Sequence, residues 1–330
     1  MSSLLRVRAD DPEYQRLAAA EAAFWDERRP YSLENLEEVF GDGPVEQYVN
    51  RRLTGDRQRG WWETVANYGR FRRGAVLGTS ALSIERRLLE TNPELHLTFI
   101  DLSPGALARR RESIGARFPG RVETLTADLN FVELPPDGYD MLVSSASLHH
   151  VTNLESLAAQ IAAALQPGGY FFLQDYVGEP RFRFSPLKKR VFEALHDHWV
   201  PSVPGRRPGV GWRDESDLSP FCGVRSDEVL SAIGAQLPML SLRTSSALLV
   251  PLTRALPADG AVLPPPPLLR RLVTAVDDWQ RRRRGLLPRL RNALEGAFLD
   301  QLFALDEILL ESEVLQPGVA FAVFRRPPTA

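Results

Sequence analysis

Hydrophobic and polar positions through the middle of the chain follow the order of alternating strands and helices. Short apolar runs predict five strands: GAVLG from residue 74, LHLTFIDLS from 95, RVETLTADL from 121, YDMLVSSAS from 139 and YFFLQDYVG from 170. Between them lie segments with apolar residues at helical spacing, such as ALSIERRLLE, PGALARRRESIGARF and LESLAAQIAAAL. This alternation predicts an α/β fold, a doubly wound sheet with helices on both faces.

The pattern divides the chain into four parts. Residues 1–70 predict an N-terminal helical segment, and residues 71–180 hold the alternating core. Residues 181–316 predict a largely helical lid or substrate region with one strand of the sheet near 239–250. Residues 317–330 add the closing strand VAFAVFRRP and a tail. Because ligands of doubly wound sheets bind beyond the carboxyl ends of the strands, we expect the early and late helices to cover that edge.

Composition narrows the function classes. Apolar residues are 44% and charged residues 25% of the 330, with a net charge of −2, so the chain lacks the basic excess expected for a nucleic-acid or anionic-membrane partner. No apolar run approaches the about 20 residues of a membrane-spanning helix. The opening MSSLLRVRADDPEYQRL turns acidic before a signal-peptide core could form, so we expect a cytoplasmic protein.

The cysteine and histidine positions limit the metal chemistry. Cys222 is the sole cysteine, which excludes an internal disulfide framework and a thiolate metal cluster. His196 and His198 are two positions apart, a spacing that splits them around a helix. We therefore expect no metal site.

Polar residues follow the predicted strands at the edge where ligands bind. Asp101 ends the second strand, where an acidic residue either accepts two hydrogen bonds from a ribose diol or caps the following helix. His149 and His150 follow the fourth strand, and Asp175 ends the neighbouring fifth. A neutral imidazole held by a carboxylate is a suitable general base for a hydroxyl, and we favour His149 for that role. The alternative is that both histidines are structural.

Four motifs in this order, DLSPGALARRRE, TADLN, YDMLVSSASLHHV and LQPGGYFFLQDYVG, resemble those of class I S-adenosylmethionine-dependent methyltransferases. ASLHHV and QDYV are similar to segments of sugar and natural-product O-methyltransferases. The resemblance implies a Rossmann-like methyltransferase sheet, S-adenosylmethionine as the cofactor, and Asp128 beside the adenine. Alternatively, Asp128 bonds local backbone amides, as loop aspartates often do. The implied cofactor contacts are Gly78, Thr79, Ser80, Asp101, Leu102, Asp128, Leu129 and Ser145.

The first loop departs from that family. Where the family has an acidic residue followed by three alternating glycines, this chain has Val76, Gly78, Ser80 and Leu82. A side chain in place of hydrogen takes up room and restricts access to positive φ. Leu82 therefore either fills space at the methionine end of the pocket or turns into the core behind it.

Together, the resemblance and the histidines predict a methyltransferase that acts on a hydroxyl of a small molecule, a saccharide or specialised metabolite. His149 would be the base, with His150 and Asp175 beside it. Two alternatives stay open: a protein that has lost methyl transfer and catalyses a cofactor-free rearrangement or cyclisation, and a non-catalytic partner of an active homologue. We expect a homodimer or an association with a homologous methyltransferase. The expected substrate contacts are Tyr176, Arg181 and Trp212.

Overall fold

A computed structural model describes residues 7–27, 44–79, 84–199, 210–212, 215, 218–257 and 287–329. Two residues of the predicted cofactor loop, Ser80 and Leu82, lie outside this part of the chain. The chain divides into two compact units. The first unit is Met1–Arg183, Leu218–Ser245 and Pro317–Ala330, and the second is Phe184–Asp217 and Ser246–Gln316.

Helices and strands alternate in the first unit as the pattern predicts. Its strands are β1 (Arg73–Leu77), β2 (His96–Asp101), β3 (Val122–Thr126), β4 (Tyr139–Ser145) and β5 (Leu165–Tyr176), and later in the chain β7 (Met239–Ser245) and β9 (Val319–Arg325). Its helices are α1 (Pro12–Glu27), α2 (Pro44–Thr54), α3 (Trp61–Thr64), α4 (Ile84–Thr91), α5 (Pro104–Arg110), α6 (Leu154–Ala164) and α8 (Val229–Gly234). The strand expected near 239–250 therefore occupies Met239–Ser245.

The second unit contains helices and a small hairpin. Its helices are α7 (Pro186–Trp199), α9 (Leu249–Arg254) and α10 (Leu287–Glu311), and β6 (Val210–Trp212) pairs antiparallel with β8 (Ala255–Pro257). The buried Asp306 carboxylate accepts hydrogen bonds from the backbone N–H groups of Ser246 and Leu248. This contact joins α10 to the segment that precedes α9.

The described strands of the first unit form a seven-stranded sheet in the order β3-β2-β1-β4-β5-β9-β7. Strands β1 to β5 are parallel, and β9 runs antiparallel to both of its neighbours. This arrangement confirms the predicted α/β sheet. The order reverses at β1, so the carboxyl ends of β1, β2 and β4 meet beside the switch point, where doubly wound sheets bind ligands.

Successive residues of the central strands pack into two hydrophobic clusters, one on each face of the sheet. Ala75 and Leu77 belong to the cluster that includes α6 and α8, whereas Val76 belongs to the cluster that includes α3, α4 and α5. Strands covered on both faces need apolar residues at consecutive positions, which is why GAVL and FI read as continuous apolar runs. Packing on both faces holds in place the sheet whose carboxyl edge carries the site.

Helix α1 is anchored at the carboxyl edge of the sheet by the start of α5. Ser103 caps α5 by accepting from the Ala106 amide, and its hydroxyl donates to Asp26 Oδ1 at 2.6 Å. The same Asp26 oxygen accepts from the Gly105 amide at 2.7 Å. An anion is favourable at a helix N-terminus, so these contacts hold the end of α1 there.

Among the described residues, none of the helices combines the length and the apolar character that crossing a bilayer requires.

Candidate cofactor and active site

A cavity of about 530 Å³ opens at the carboxyl edge of the parallel strands, within the first unit. Its size falls in the range of about 300–1,000 Å³ that small-molecule sites occupy. Eight residues singled out in the sequence line it: Gly78, Thr79, Asp101, Leu102, Asp128, Leu129, His149 and His150. They follow four different strands, and α1 and the turn segment 218–225 supply further lining residues.

Gly78 makes the turn at the end of β1 and requires the absence of a side chain. Its φ is +78°, in the left-handed region that favours glycine. A β-carbon at this position would lie 2.4 Å from Ser147 Cβ, closer than real side chains approach. The backbone of the β1 loop and the loop after β4 therefore come together at Gly78, at the floor of the cavity.

Asp101 is held by the loop that it faces. Its Oδ2 accepts from the Thr79 amide at 2.6 Å and from the Thr79 hydroxyl at 2.7 Å, and its Oδ1 accepts from the Ser103 amide at 2.8 Å. Because Ser103 itself caps α5, Asp101 is not the helix cap. A carboxylate offers about four acceptor positions, so one remains on Oδ1 of this cavity-lining residue.

Asp128 is fixed by α1 and by its own loop. Its Oδ1 accepts from the backbone and side-chain amides of Asn130, which includes the local backbone bond expected for a loop aspartate. Its Oδ2 accepts from the Tyr14 hydroxyl at 2.5 Å. Burial and the hydrogen bond to Asp128 raise the pKa of Tyr14 well above its usual range, which keeps the hydroxyl a donor. Tyr14 carried no signal in the sequence, because it lies in a helix far from the alternating core.

His149 is oriented by a buried carboxylate. Its Nδ1 lies 2.5 Å from Asp175 Oδ1, and the Asp175 side chain is 0% exposed. Asp175 also accepts from the backbone amides of Leu148 and Tyr176. With Nδ1 committed to Asp175, Nε2 is the ring nitrogen left for chemistry. Burial and His150 lower the pKa of His149, but the Asp175 carboxylate and the contact with Cys222 together outweigh them, and the net pKa is raised.

His150 has its own carboxylate, Glu21 of α1. His150 Nδ1 lies 2.9 Å from Glu21 Oε1, and Glu21 also accepts from the Trp25 indole, the Ser219 hydroxyl and the Phe221 amide. Burial raises the pKa of Glu21, but the hydrogen bond with His150 outweighs it and lowers that pKa to about 2. Burial also lowers the pKa of His150, and the nearby Cys222 and Glu21 raise it to about 10.

Cys222 completes this cluster from a distant part of the sequence. One donor atom from each of His149, His150 and Cys222 lies within 4.8 Å of the other two. Burial raises the pKa of the Cys222 thiol, but the positive charge on His150 outweighs it and lowers that pKa to about 6. The Val224 amide donates to the His149 carbonyl at 3.1 Å, which fixes the turn segment beside the histidines. Sequence reasoning missed this role because no motif surrounds Cys222.

Comparison with known proteins assigns the alternating core to a family. Residues 76–171 match the family described as "Methyltransferase domain". This segment is a class I S-adenosylmethionine-dependent methyltransferase domain. The family predicted from the four motifs is thereby confirmed, whereas the likeness to O-methyltransferases in particular stays a prediction.

Relatives of this methyltransferase domain include biosynthetic proteins. The ubiquinone/menaquinone biosynthesis C-methyltransferase UbiE of Methylobacterium nodulans is 28% identical over 161 residues, covering 47% of this chain and 62% of the relative. The hybrid PKS-NRPS synthetase lepA of Aspergillus flavus is 31% identical over 137 residues, covering 39% of this chain and 3% of the relative. The chain thus spans less than two thirds of either of these relatives.

A solved structure extends the likeness in fold. The geranyl diphosphate C-methyltransferase from Streptomyces coelicolor A3(2) aligns with 97% of this chain and 100% of its own, with a TM-score of 0.50 and 11% identity. At that identity the likeness concerns the fold alone.

The residues of the cavity fit S-adenosylmethionine, the cofactor of the family. Asp101 keeps one acceptor position for a ribose hydroxyl, and Asp128 keeps one on Oδ2 for an amino group. Leu102 and Leu129 add apolar lining, and Gly78 adds a stretch of backbone to the cavity wall. When bound, this cofactor supplies an electrophilic methyl group.

Five predicted site residues lie outside the lining of this cavity, and one of them, Asp175, stands behind His149. Ser145 is buried and its hydroxyl donates to Gln174, and the Tyr176 hydroxyl donates to the Glu179 carbonyl. Arg181 donates to the carbonyls of 219, 220 and 222, so it braces the turn segment. Trp212 belongs to the second unit, where its indole donates to Glu193. Their roles toward cofactor or substrate stay predictions.

Proposed function

We propose that the protein transfers a methyl group from S-adenosylmethionine to a hydroxyl of a small molecule, with His149 as the general base. The observation that carries this proposal is the His149–Asp175 pair, which lies at the same cavity that Asp101 and Asp128 line. Hydroxyl groups are poor nucleophiles until their proton is removed. A base at the cofactor cavity therefore favours catalysis on a hydroxyl over cofactor binding without catalysis.

His149 would accept the hydroxyl proton at Nε2. Asp175 holds Nδ1, which fixes the ring orientation and stabilises the imidazolium that forms. Burial of Asp175 removes competing water from the pair. The protein's main contribution would be alignment of acceptor and cofactor, because methyl transfer needs no covalent enzyme intermediate.

The acceptor class that we propose is a saccharide or specialised metabolite. One supporting observation is the name of a relative, a hybrid PKS-NRPS synthetase. Association with a second copy or a homologous methyltransferase stays part of the proposal.

The first test is calorimetric titration with S-adenosylmethionine and S-adenosylhomocysteine. We expect micromolar binding by the wild type and about tenfold weaker binding by Asp101→Asn, which preserves shape but removes the charge. Asp140→Asn, remote from the cavity at the start of β4, is the matched control. Absence of binding at millimolar ligand would exclude methyl transfer and leave cofactor-free chemistry as the alternative.

The second test examines the base in an acceptor screen that follows the methyl group by mass spectrometry. His149→Gln should reduce kcat by about 10²–10⁴-fold while cofactor affinity stays near the wild-type value. His196→Gln, in the second unit, controls for the loss of a histidine. Unchanged kcat in His149→Gln would mean that proximity alone drives the transfer.

A further inference from the structure

Three potential metal ligands converge at one wall of the cavity. His149 and His150 follow β4, whereas Cys222 comes from the turn segment 218–225, and all three line the cavity. One donor atom from each lies within 4.8 Å of the other two. Two imidazoles and one thiolate form a donor set that suits zinc, and catalytic zinc sites use three protein ligands with a fourth position open.

Both imidazoles are oriented as metal-bound histidines are. Histidine ligands usually donate their second ring nitrogen to a carboxylate, which fixes the ring and raises its basicity as a ligand. Here His149 Nδ1 contacts Asp175, and His150 Nδ1 contacts Glu21. The Nε2 atoms of both rings are therefore the ones left for a ligand. A single general base requires one histidine–carboxylate pair, whereas two such pairs lie beside the Cys222 sulfur here.

The charge of the cluster also favours a cation. Asp175 and Glu21 place two buried carboxylates behind the histidines, with side chains 0% and 5% exposed. Cysteine binds zinc as a thiolate, so Cys222 would add a negative charge when it binds the ion. The arginines that line the same cavity are committed elsewhere: Arg109 donates to the carbonyls of 25 and 26, and Arg110 pairs with Glu85. A divalent ion bound in front of the histidines would lie close to both buried carboxylates, whose negative charges favour a cation there.

We propose that His149, His150 and Cys222 bind a zinc ion, with the fourth coordination position facing the cavity. Zinc–nitrogen bonds of about 2.0–2.1 Å and zinc–sulfur bonds of about 2.3 Å place tetrahedral donors roughly 3.5 Å apart. Donor atoms within 4.8 Å reach this spacing by side-chain movements of about an ångström. The sequence predicted no metal because Cys222 is the sole cysteine and because His196 and His198 are split around a helix. The fold brings Cys222 to His149 and His150 from far along the chain.

Zinc at this site would oppose the proposed reaction. Zinc would occupy the Nε2 lone pair of His149. The zinc-loaded protein could then not take the proton of the substrate hydroxyl at that atom. This consequence, unlike the site itself, rests on the proposed function. Zinc would then act as a reversible inhibitor of methyl transfer, released by a chelator.

Cobalt titration tests the site without any assay of activity. Reduced, chelator-treated protein is titrated with Co²⁺, which gives visible bands in a four-coordinate site and a near-ultraviolet band for a cobalt–thiolate bond. Because Cys222 is the sole cysteine of the chain, that thiolate band reports this residue alone. We expect saturation at one equivalent and displacement of the bands by Zn²⁺.

Variants identify the ligands. Cys222→Ser should lose the thiolate band, His149→Asn and His150→Asn should lose stoichiometric binding, and Glu21→Gln should weaken binding about 10–100-fold. His96→Asn, at the exposed start of β2, should bind cobalt like the wild type. Circular dichroism confirms that each variant is folded. Absence of the thiolate band in folded wild type, or its persistence in both histidine variants, would overturn the proposal.

The same samples separate this site from the proposed function. Cobalt bands without methyl transfer would support the metal site and contradict the function. Where transfer is observed, one equivalent of Zn²⁺ should abolish it and excess chelator should restore it. The inhibitory role would be overturned if the protein kept full transfer activity under conditions in which the cobalt-competition assay shows that zinc is bound.

Discussion

Tyr14 and Asp128 are 114 positions apart in the chain, yet the tyrosine hydroxyl donates a 2.5 Å hydrogen bond to Asp128 Oδ2. The Tyr14 ring stacks on Phe221, with centroids 5.5 Å apart, and meets Phe131 edge-on. One residue of α1 thus contacts both the loop after β3 and the turn segment that carries Cys222. The N-terminal helix therefore helps to build the cavity in which we propose that the cofactor binds.

Tyr14→Phe should weaken S-adenosylmethionine binding by about five- to tenfold, because it removes a hydrogen bond of about 1 kcal/mol that positions Asp128. The aromatic contacts remain in the phenylalanine variant. Calorimetric titration measures the effect. Tyr68→Phe, with a half-buried ring outside the cavity lining, is the control. Equal affinity in Tyr14→Phe and wild type would show that the loop holds Asp128 without α1.

The Thr79 hydroxyl should contribute to cofactor affinity through Asp101. Thr79→Val keeps the backbone N–H bond to Asp101 Oδ2 and removes only the 2.7 Å hydroxyl bond. We expect binding about three- to tenfold weaker than in the wild type, corresponding to about 1 kcal/mol. Thr79→Ser restores the hydroxyl and should restore affinity. A loss in the serine variant equal to that in the valine variant would instead implicate the Thr79 methyl group.

Backbone strain and steric conflict at Gly78 can be measured separately. Gly78→Ala meets a positive φ and the Ser147 side chain, so it should cost more than the about 1–3 kcal/mol of strain alone. Gly55→Ala is the matched control, because Gly55 has φ +86° and open space around its missing β-carbon. The free energy of unfolding from urea titration compares the two. Equal losses would mean that the Ser147 loop moves aside without cost.

The sequence predicts the part of the site that follows directly from strand order. Gly78 and Asp128 stand just after β1 and β3, Asp101 ends β2, and parallel strands bring such positions to one edge. The His149–Asp175 pair could be predicted for the same reason, since β4 and β5 are neighbours.

The rest of the site depends on segments that return from far along the chain. Glu21 meets the Phe221 amide across 200 positions, and nothing local in either segment records that contact. An acidic residue in a helix such as α1 has the appearance of a solvated surface group. Cys222 likewise stands in a segment whose sequence indicates only turns. These contacts arise from packing, which one-dimensional periodicity does not encode.

Arg181 should control access to Cys222, although it lies outside the cavity lining. Its guanidinium donates to three carbonyls of the turn segment, at 219, 220 and 222. Arg181→Met leaves these carbonyls without that donor, so the segment should open more often and iodoacetamide should alkylate Cys222 at least several-fold faster. Mass spectrometry follows a single adduct, because the chain has one cysteine.

The matched control for this prediction is Arg16→Met, which removes an exposed arginine that pairs with Glu13 on the surface of α1. Its alkylation rate should equal that of the wild type, since surface ion pairs contribute little to stability. Arg181→Lys should fall between the two, because one ammonium cannot reproduce the planar guanidinium fork. Equal rates in Arg181→Met and wild type would mean that the hydrogen bonds of Glu21 to the Ser219 hydroxyl and the Phe221 amide suffice to hold the segment closed.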